Sequence, residues 1–149
     1  MIIGSHKCSC KEKCIVLSKQ SNFSVYGTKT NYQLVNKNQL EVSKFIVDDC
    51  LLKEKKEDEK CDYLFLIKND KVTDGYFVEL KGSDVLKAIS QLQNSIGILG
   101  REINGTMYGR IVPTKVALPN LNSNNYYKKL KLKLNGNLIV KNTVCIDNI

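Results

Sequence analysis

Cys61-Asp62-Tyr63-Leu64-Phe65-Leu66-Ile67 and, after the charged turn Asn69-Asp70-Lys71, Tyr76-Phe77-Val78-Glu79-Leu80-Lys81-Gly82 are the segments on which the fold turns. Each is an apolar run of strand length bounded by turn residues, so two neighbouring strands are expected. Each also carries charge where a buried strand normally carries none. Asp62 opens the first run, and a Glu-x-Lys sits inside the second. Residues two apart on a strand share a face, so Glu79 and Lys81 project together while Leu80 points the other way, into the core. An idle charge in such a strand costs desolvation energy, which favours a working role for all three.

The surroundings extend this pair into a sheet. Val42 to Leu52 fits a helix through the capping-box spacing of Asn38 and Glu41, and a strand through its β-branched and aromatic content. A hairpin of Phe45–Leu52 with Asp62–Ile67 is preferred, spanning the fully charged Lys53–Lys60 as a solvated loop. Gly82-Ser83-Asp84 ends the second strand and offers an N-cap. Leu86, Ala88, Ile89, Leu92, Ile96 and Leu99 then recur at helical spacing, with an end near Gly97 or Gly100. Met107 to Leu118 reads as a strand in which Pro113 marks a bend or an edge. Leu130-Lys131-Leu132-Lys133-Leu134 alternates at period two, Asn135-Gly136 is a favoured turn pair, and Leu138-Ile139-Val140 returns, which predicts a C-terminal β-hairpin. Ser18 to Asn38 is rich in Ser, Asn, Lys and Tyr with weak periodicity, fitting a short helix or strand whose position the pattern does not fix. The expected class is α/β: a mixed central sheet flanked by helices, with that hairpin at the end.

The chemistry follows from the donor types. Glu79 and Asp62 can bind a hard cation such as Mg²⁺ or Mn²⁺, and the Leu80 carbonyl can add a third oxygen. Lys81 beside them can orient or help deprotonate an attacking water and offset charge on a phosphate. Gln91, on the helix that follows, can hydrogen-bond that water or a phosphate oxygen. A metal so held acidifies bound water and neutralises phosphate charge, the requirements for cutting a phosphodiester.

Asp62, then Glu79-Leu80-Lys81, then Gln91 on the next helix resembles the PD-(D/E)xK phosphodiesterase superfamily of restriction endonucleases, resolvases and related nucleases. The resemblance covers roughly Val47 to Leu99, a third of the chain, through the pattern Cys-Asp-Tyr-Leu, Val-Glu-Leu-Lys-Gly-x-Asp and Ala-x-x-Gln-Leu. Cys61 stands where the family often has proline. The resemblance implies a restriction-endonuclease-like core with Mg²⁺ or Mn²⁺ as cofactor. It also implies a nuclease acting on DNA rather than RNA, in prokaryotic DNA processing or defence, and a homodimer. An additional acidic residue before the first of these strands is common in the family, and Glu41 is the candidate.

At 149 residues one nuclease-like domain is expected, with a Cys-rich segment at about 6–14 and a basic hairpin at about 129–141. The composition, 42% hydrophobic and 26% charged, is that of a globular protein. The absence of a long apolar run or of a leader-like start predicts a cytoplasmic chain with no membrane partner. The net charge of +8 favours an anionic partner such as nucleic acid. Lys129, Lys131 and Lys133 form a basic stripe on the predicted hairpin that reads first as a solvated face or edge protection and second as a phosphate-contacting face, and Tyr126 and Tyr127 ahead of it suit either stacking on bases or packing. His6, Cys8, Cys10 and Cys14 include thiolate ligands suited to Zn²⁺, although the usual C-x-x-C knuckle is missing. Six cysteines in a cytoplasmic chain do not predict a disulfide framework. Cys50 and Cys61 read as small core residues. The competing readings are a non-catalytic nucleic-acid-binding or structural module that keeps the nuclease fold, a ribonuclease, and a zinc-binding interaction protein.

Overall fold

A computed structural model describes residues 14–52, 59–115 and 120–149. Nine strands and two α-helices are assigned within them. They are β1 (Ile15–Ser18), β2 (Asn22–Tyr26), β3 (Asn31–Val35), β4 (Glu41–Ile46), β5 (Tyr63–Asn69), β6 (Val72–Lys81), α1 (Val85–Leu99), β7 (Met107–Pro113), α2 (Asn125–Lys133), β8 (Leu138–Val140) and β9 (Val144–Asn148). The main sheet is mixed, in the order β1-β4-β5-β6-β7-β8. Its first four strands run antiparallel, and β6, β7 and β8 run parallel. A smaller sheet, β2-β3-β9, pairs the N-terminal hairpin with the C-terminal strand.

The two sheets and the helices make three layers, and the period-two alternation of β5 and β6 decides which residue enters which interface. Leu64, Leu66 and Phe77 pack with Ala88, Ile89, Leu92, Ile96 and Leu99 of α1. Phe65, Ile67, Tyr76 and Val78 pack on the other side with Phe23, Val25, Tyr32 and Leu34 of the small sheet. With both faces covered, these strands read as continuous apolar runs. Glu79 and Lys81 fall on the Phe77 side, facing the helices.

Helix α1 is where the sequence places it. Asp84 is its N-cap, accepting from the Lys87 N–H, and Gly100 is its C-cap. Leu86 is the exception in the predicted stripe, since it is 40% exposed.

The predicted C-terminal hairpin is overturned. Asn124 caps α2, and Leu130–Lys133 belongs to that helix. Tyr127, Leu130 and Leu134 are buried while Leu132 is 77% exposed, which is the i, i+3, i+7 pattern of a helix. Asn135 (φ 51°) and Gly136 (φ 86°) provide left-handed residues that end the helix, so the Asn-Gly pair turns the chain out of α2. The next strand, β8, pairs parallel to β7. Lys129, Lys131 and Lys133 are therefore spread around an exposed helix and form no sheet stripe. Gly109 of β7 lies under this helix, where an added Cβ would come within 2.8 Å of Leu134.

Three further expectations are revised. Glu41 begins strand β4 and no helix, because pairing with both β1 and β5 outweighs the local capping signal. The β4–β5 pairing holds, but the strand stops at Ile46, and Val47–Leu51 forms a π-helical turn. Met107–Pro113 is shorter than the strand predicted to Leu118, and residues 116–119 lie outside the described ones.

Cys14 and Cys50 form a disulfide with Cα atoms 5.6 Å apart. The β1–β4 register that sets Ile15 opposite Phe45 brings the two together. Cys14 is thus engaged by Cys50 and is not presented as a zinc thiolate, while Cys8 and Cys10 lie outside the described residues. Cys61 is a buried free thiol, in keeping with its reading as a small core residue, whereas Cys50 is half-buried and held in the disulfide.

Candidate functional site

The predicted residues meet where the β5–β6 ladder runs out. The last paired residues there are Tyr63 and Val78. One step further the ladder continues through side chains. The Leu80 N–H donates to Asp62 Oδ2 at 2.9 Å, and the Asp62 N–H donates to Glu79 Oε2 at 3.1 Å. Each carboxylate is therefore fixed by a backbone amide beside the other. A strand residue sends its N–H and C=O to the same side, so the Leu80 carbonyl also points to the β5 side of the strand.

Glu79 is 2% exposed. Burial, and then the nearby Asp62 carboxylate, push its carboxyl up to about 8, against the opposing pull of Lys81. The Lys81 ammonium lies 3.7 Å from Glu79 Oε1 and is one-fifth exposed, at the mouth of the site.

Gln91, on the second turn of α1, is buried. Its Oε1 accepts from Lys81 Nζ at 2.9 Å, and its Nε2 donates to the Lys60 carbonyl at 2.9 Å. The sequence pattern assigns this amide to water or phosphate. In the structure it links Lys81 to the chain entering β5. One turn along, Ser95 accepts from the Cys61 N–H at 2.9 Å, so α1 grips that same entry segment twice.

Two residues of the site are not singled out by the sequence pattern. Lys60 closes the charged segment expected to be a solvated loop, yet it is only 5% exposed. Its Nζ donates to the Leu52 carbonyl at 3.1 Å and lies 3.4 Å from Asp48 Oδ1. Asp48, in the π-helical turn, is close enough to add to the upward push on Glu79. The available signal was an acidic residue inside the apolar run Phe45–Leu52, the same signature that singled out Asp62. Glu41, the family-inspired candidate, is not part of this cluster. It pairs with Lys68 at the far end of the β4–β5 hairpin, about six residues or ~20 Å along the strands from Asp62.

Among the described residues, no set of three or more His, Cys, Asp or Glu side chains is arranged to hold a metal ion. The donor set offered here is two carboxylates and a backbone carbonyl. Its chemistry nonetheless fits a hard divalent cation. Burial and mutual repulsion hold one of the two carboxyls protonated at neutral pH, and a cation between them would relieve both effects.

A second buried polar cluster lies on the opposite face of the sheet. Arg110 makes a bidentate pair with Asp147, at 2.7 and 3.0 Å, and Tyr32 donates to Asp147 at 2.9 Å. The Arg110 guanidinium also lies over the stacked Tyr76 and Tyr108 rings. Its donors are taken up by Asp147 and by the Gly109 and Asn137 carbonyls, so it ties β9 to the main sheet. No helix among the described residues is long and apolar enough to cross a membrane.

Scans against protein-family models, curated proteins and solved structures each returned no match to the chain.

Proposed function

We propose that this chain is a metal-dependent phosphodiesterase that cuts nucleic acid, with DNA as its substrate, built on a restriction-endonuclease-like core. The observation that carries the reading is the convergence of Asp62, Glu79, Lys81 and Gln91 at one end of the β5–β6 pair, with Glu79 buried beside a second carboxylate. Buried paired carboxylates next to a lysine are costly for stability alone, and they are the equipment of metal-assisted phosphate chemistry.

Asp62 and Glu79, with the Leu80 carbonyl, would hold Mg²⁺ or Mn²⁺, which supplies an acidified water and neutralises charge on the phosphate. The remaining work belongs to the chain. Asp62 and Glu79 keep fixed positions because backbone amides hold them, so little reorganisation accompanies the reaction. Lys81, at the mouth, orients the attacking water and balances negative charge on the phosphate. Gln91 positions Lys81 and touches no reacting atom, because protein groups occupy both ends of its amide. Water adds to phosphorus and gives up a proton to solvent, the P–O bond to the leaving sugar oxygen breaks, and that oxygen takes up a proton from solvent.

The test incubates the purified protein with linear, circular and single-stranded DNA and with RNA, in Mg²⁺, Mn²⁺ or EDTA, beside Lys81→Ala. Metal-dependent cutting of DNA, lost in the variant, is the expected result. Binding without cutting by both proteins refutes the enzyme, and cutting confined to RNA refutes the substrate.

A further inference from the structure

The helical layer beside the site is rich in lysine, with Asp84 at the N-cap of α1 as its acidic neighbour. Helix α2 holds Lys128, Lys129, Lys131 and Lys133 and no acidic residue, and α1 adds Lys87, also with none. No Asp or Glu occurs in the sequence between Glu102 and Asp147. Both helices pack on the sheet face to which Glu79 and Lys81 project. Such a surface complements a polyanion.

Between the helices runs a groove of about 270 Å³, lined by Leu86, Ile89, Ser90, Gln93 and Tyr126. Two of its walls are large hydrophobic groups left open to solvent: Leu86 is 40% exposed and Tyr126 is 65% exposed. An apolar slot with an open aromatic ring, set in a lysine-rich layer, matches a ligand with flat apolar rings strung on phosphates. Helix α1 serves both places: Gln91 turns to Lys81, while Leu86, Ile89, Ser90 and Gln93 turn to the groove.

We infer that the groove between α1 and α2 holds an unpaired stretch of DNA, with a base stacked on Tyr126 and its phosphates on the α2 lysines. This rests on the phosphodiesterase reading of the site at the end of β5 and β6. Stacking on a side chain needs an open base face, which duplex stacking covers and a single strand offers. The groove's walls are mostly apolar, so the extra hydroxyl of each ribose would be desolvated there with few partners, which favours deoxyribose.

The experiment measures fluorescence anisotropy of labelled oligo-dT, the matching duplex and oligo-U in EDTA at low salt. Wild type is compared with Tyr126→Ala, Tyr126→Phe and the double substitution Lys128→Gln, Lys129→Gln. Oligo-dT should bind, Tyr126→Ala should weaken it about tenfold, and Tyr126→Phe should keep it, because the ring supplies the stacking surface. The lysine variant should flatten the salt dependence, by a slope of about 0.7 for each lysine–phosphate pair removed. No binding to oligo-dT, equal or tighter binding of duplex or oligo-U, or an unchanged Tyr126→Ala overturns the inference. So does a groove buried in a dimer, seen as self-association of the free chain that Tyr126→Ala abolishes. Binding in EDTA needs no turnover. A chain that binds oligo-dT through Tyr126 but cuts nothing refutes the enzyme alone, and metal-dependent cutting with Tyr126→Ala unaltered in binding refutes the groove alone.

Discussion

Glu79→Gln isolates the energetic signature of the site. The wild-type carboxyl titrates near 8 in the folded chain and near 4.5 in an unfolded one. Between those values the folded protein keeps a proton that the unfolded chain has released. Stability must therefore fall as pH rises through this window, and level off above it. The interval is about 3.5 pH units, and each is worth about 1.4 kcal/mol for a single group, giving a total of about 5 kcal/mol. Glu79 is 2% exposed, so solvent screening removes little of this. That is a large share of the ~5–15 kcal/mol by which a domain is stable. The substituted glutamine keeps the size and the acceptor for the Asp62 N–H but cannot ionise. The assay is urea unfolding in EDTA from pH 5 to pH 8.5, with the variant minus wild-type difference taken at each pH. That difference cancels other titrating groups, including the buried thiols Cys61 and Cys145. It should be under about 1 kcal/mol at pH 5 and reach several kcal/mol in favour of Glu79→Gln by pH 8.5. Mg²⁺ or Mn²⁺ at alkaline pH should stabilise wild type and leave the variant behind, because only the wild-type pair has a charge to be relieved. Parallel profiles for the two proteins would refute both the raised titration and the cation argument built on it.

Four other outcomes are expected. Gln91→Ala should slow metal-dependent cleavage roughly 10- to 100-fold by loosening Lys81, whereas Lys81→Ala should cost about 10²–10⁴-fold; equal losses in the two variants would contradict the positioning role. Leu130→Ala should destabilise by about 2–5 kcal/mol and Leu132→Ala by less than ~0.5 kcal/mol, and denaturant midpoints in the reverse order would restore the hairpin in place of α2. Arg110→Lys keeps the charge but loses the bidentate pair with Asp147, so thermal unfolding should fall by several degrees; an unchanged midpoint would show the pair to be idle. Reducing the Cys14–Cys50 disulfide, which spans 36 residues, should cost about 2–4 kcal/mol in denaturant, and a reductant-insensitive transition would argue that the bond is not formed in solution.

The candidate site was legible because its signal is local and periodic. Strand alternation sets Glu79 and Lys81 on one face. The change of period after Gly82 puts Gln91 on a helix that returns over that face. What was not legible depended on pairing at a distance. Leu130–Leu134 satisfies a two-residue and a helical period equally well, since leucines at 130 and 134 are a helical repeat and only the exposure of Leu132 separates the two. Strands β2 and β3 alternate over only five residues each, too short a run to stand out in a polar segment, and β9 and the far face of the main sheet cover them. Lys60 looks like the end of a solvated charge run, and nothing nearby in sequence announces that Asp48 and the Leu52 carbonyl draw it inward. The Cys14–Cys50 pairing was equally hidden, since it follows from the β1–β4 register and not from cysteine spacing.

The site also closes the sheet. Past Tyr63 and Val78 strand β5 has no more backbone to offer β6, and an unpaired amide there would cost about as much as a lost hydrogen bond. Asp62 supplies the missing acceptor for Leu80, Glu79 does the same for Asp62, and Gln91 takes up the Lys60 carbonyl. A residue at any of these positions must therefore satisfy the backbone before it can serve a ligand. Ordinary polar side chains could do that without burying charge. Two carboxylates in such a place, one of them held protonated, are more than the ladder requires. The excess is an electrostatic cost of the ligand-free fold, and a bound cation would remove it.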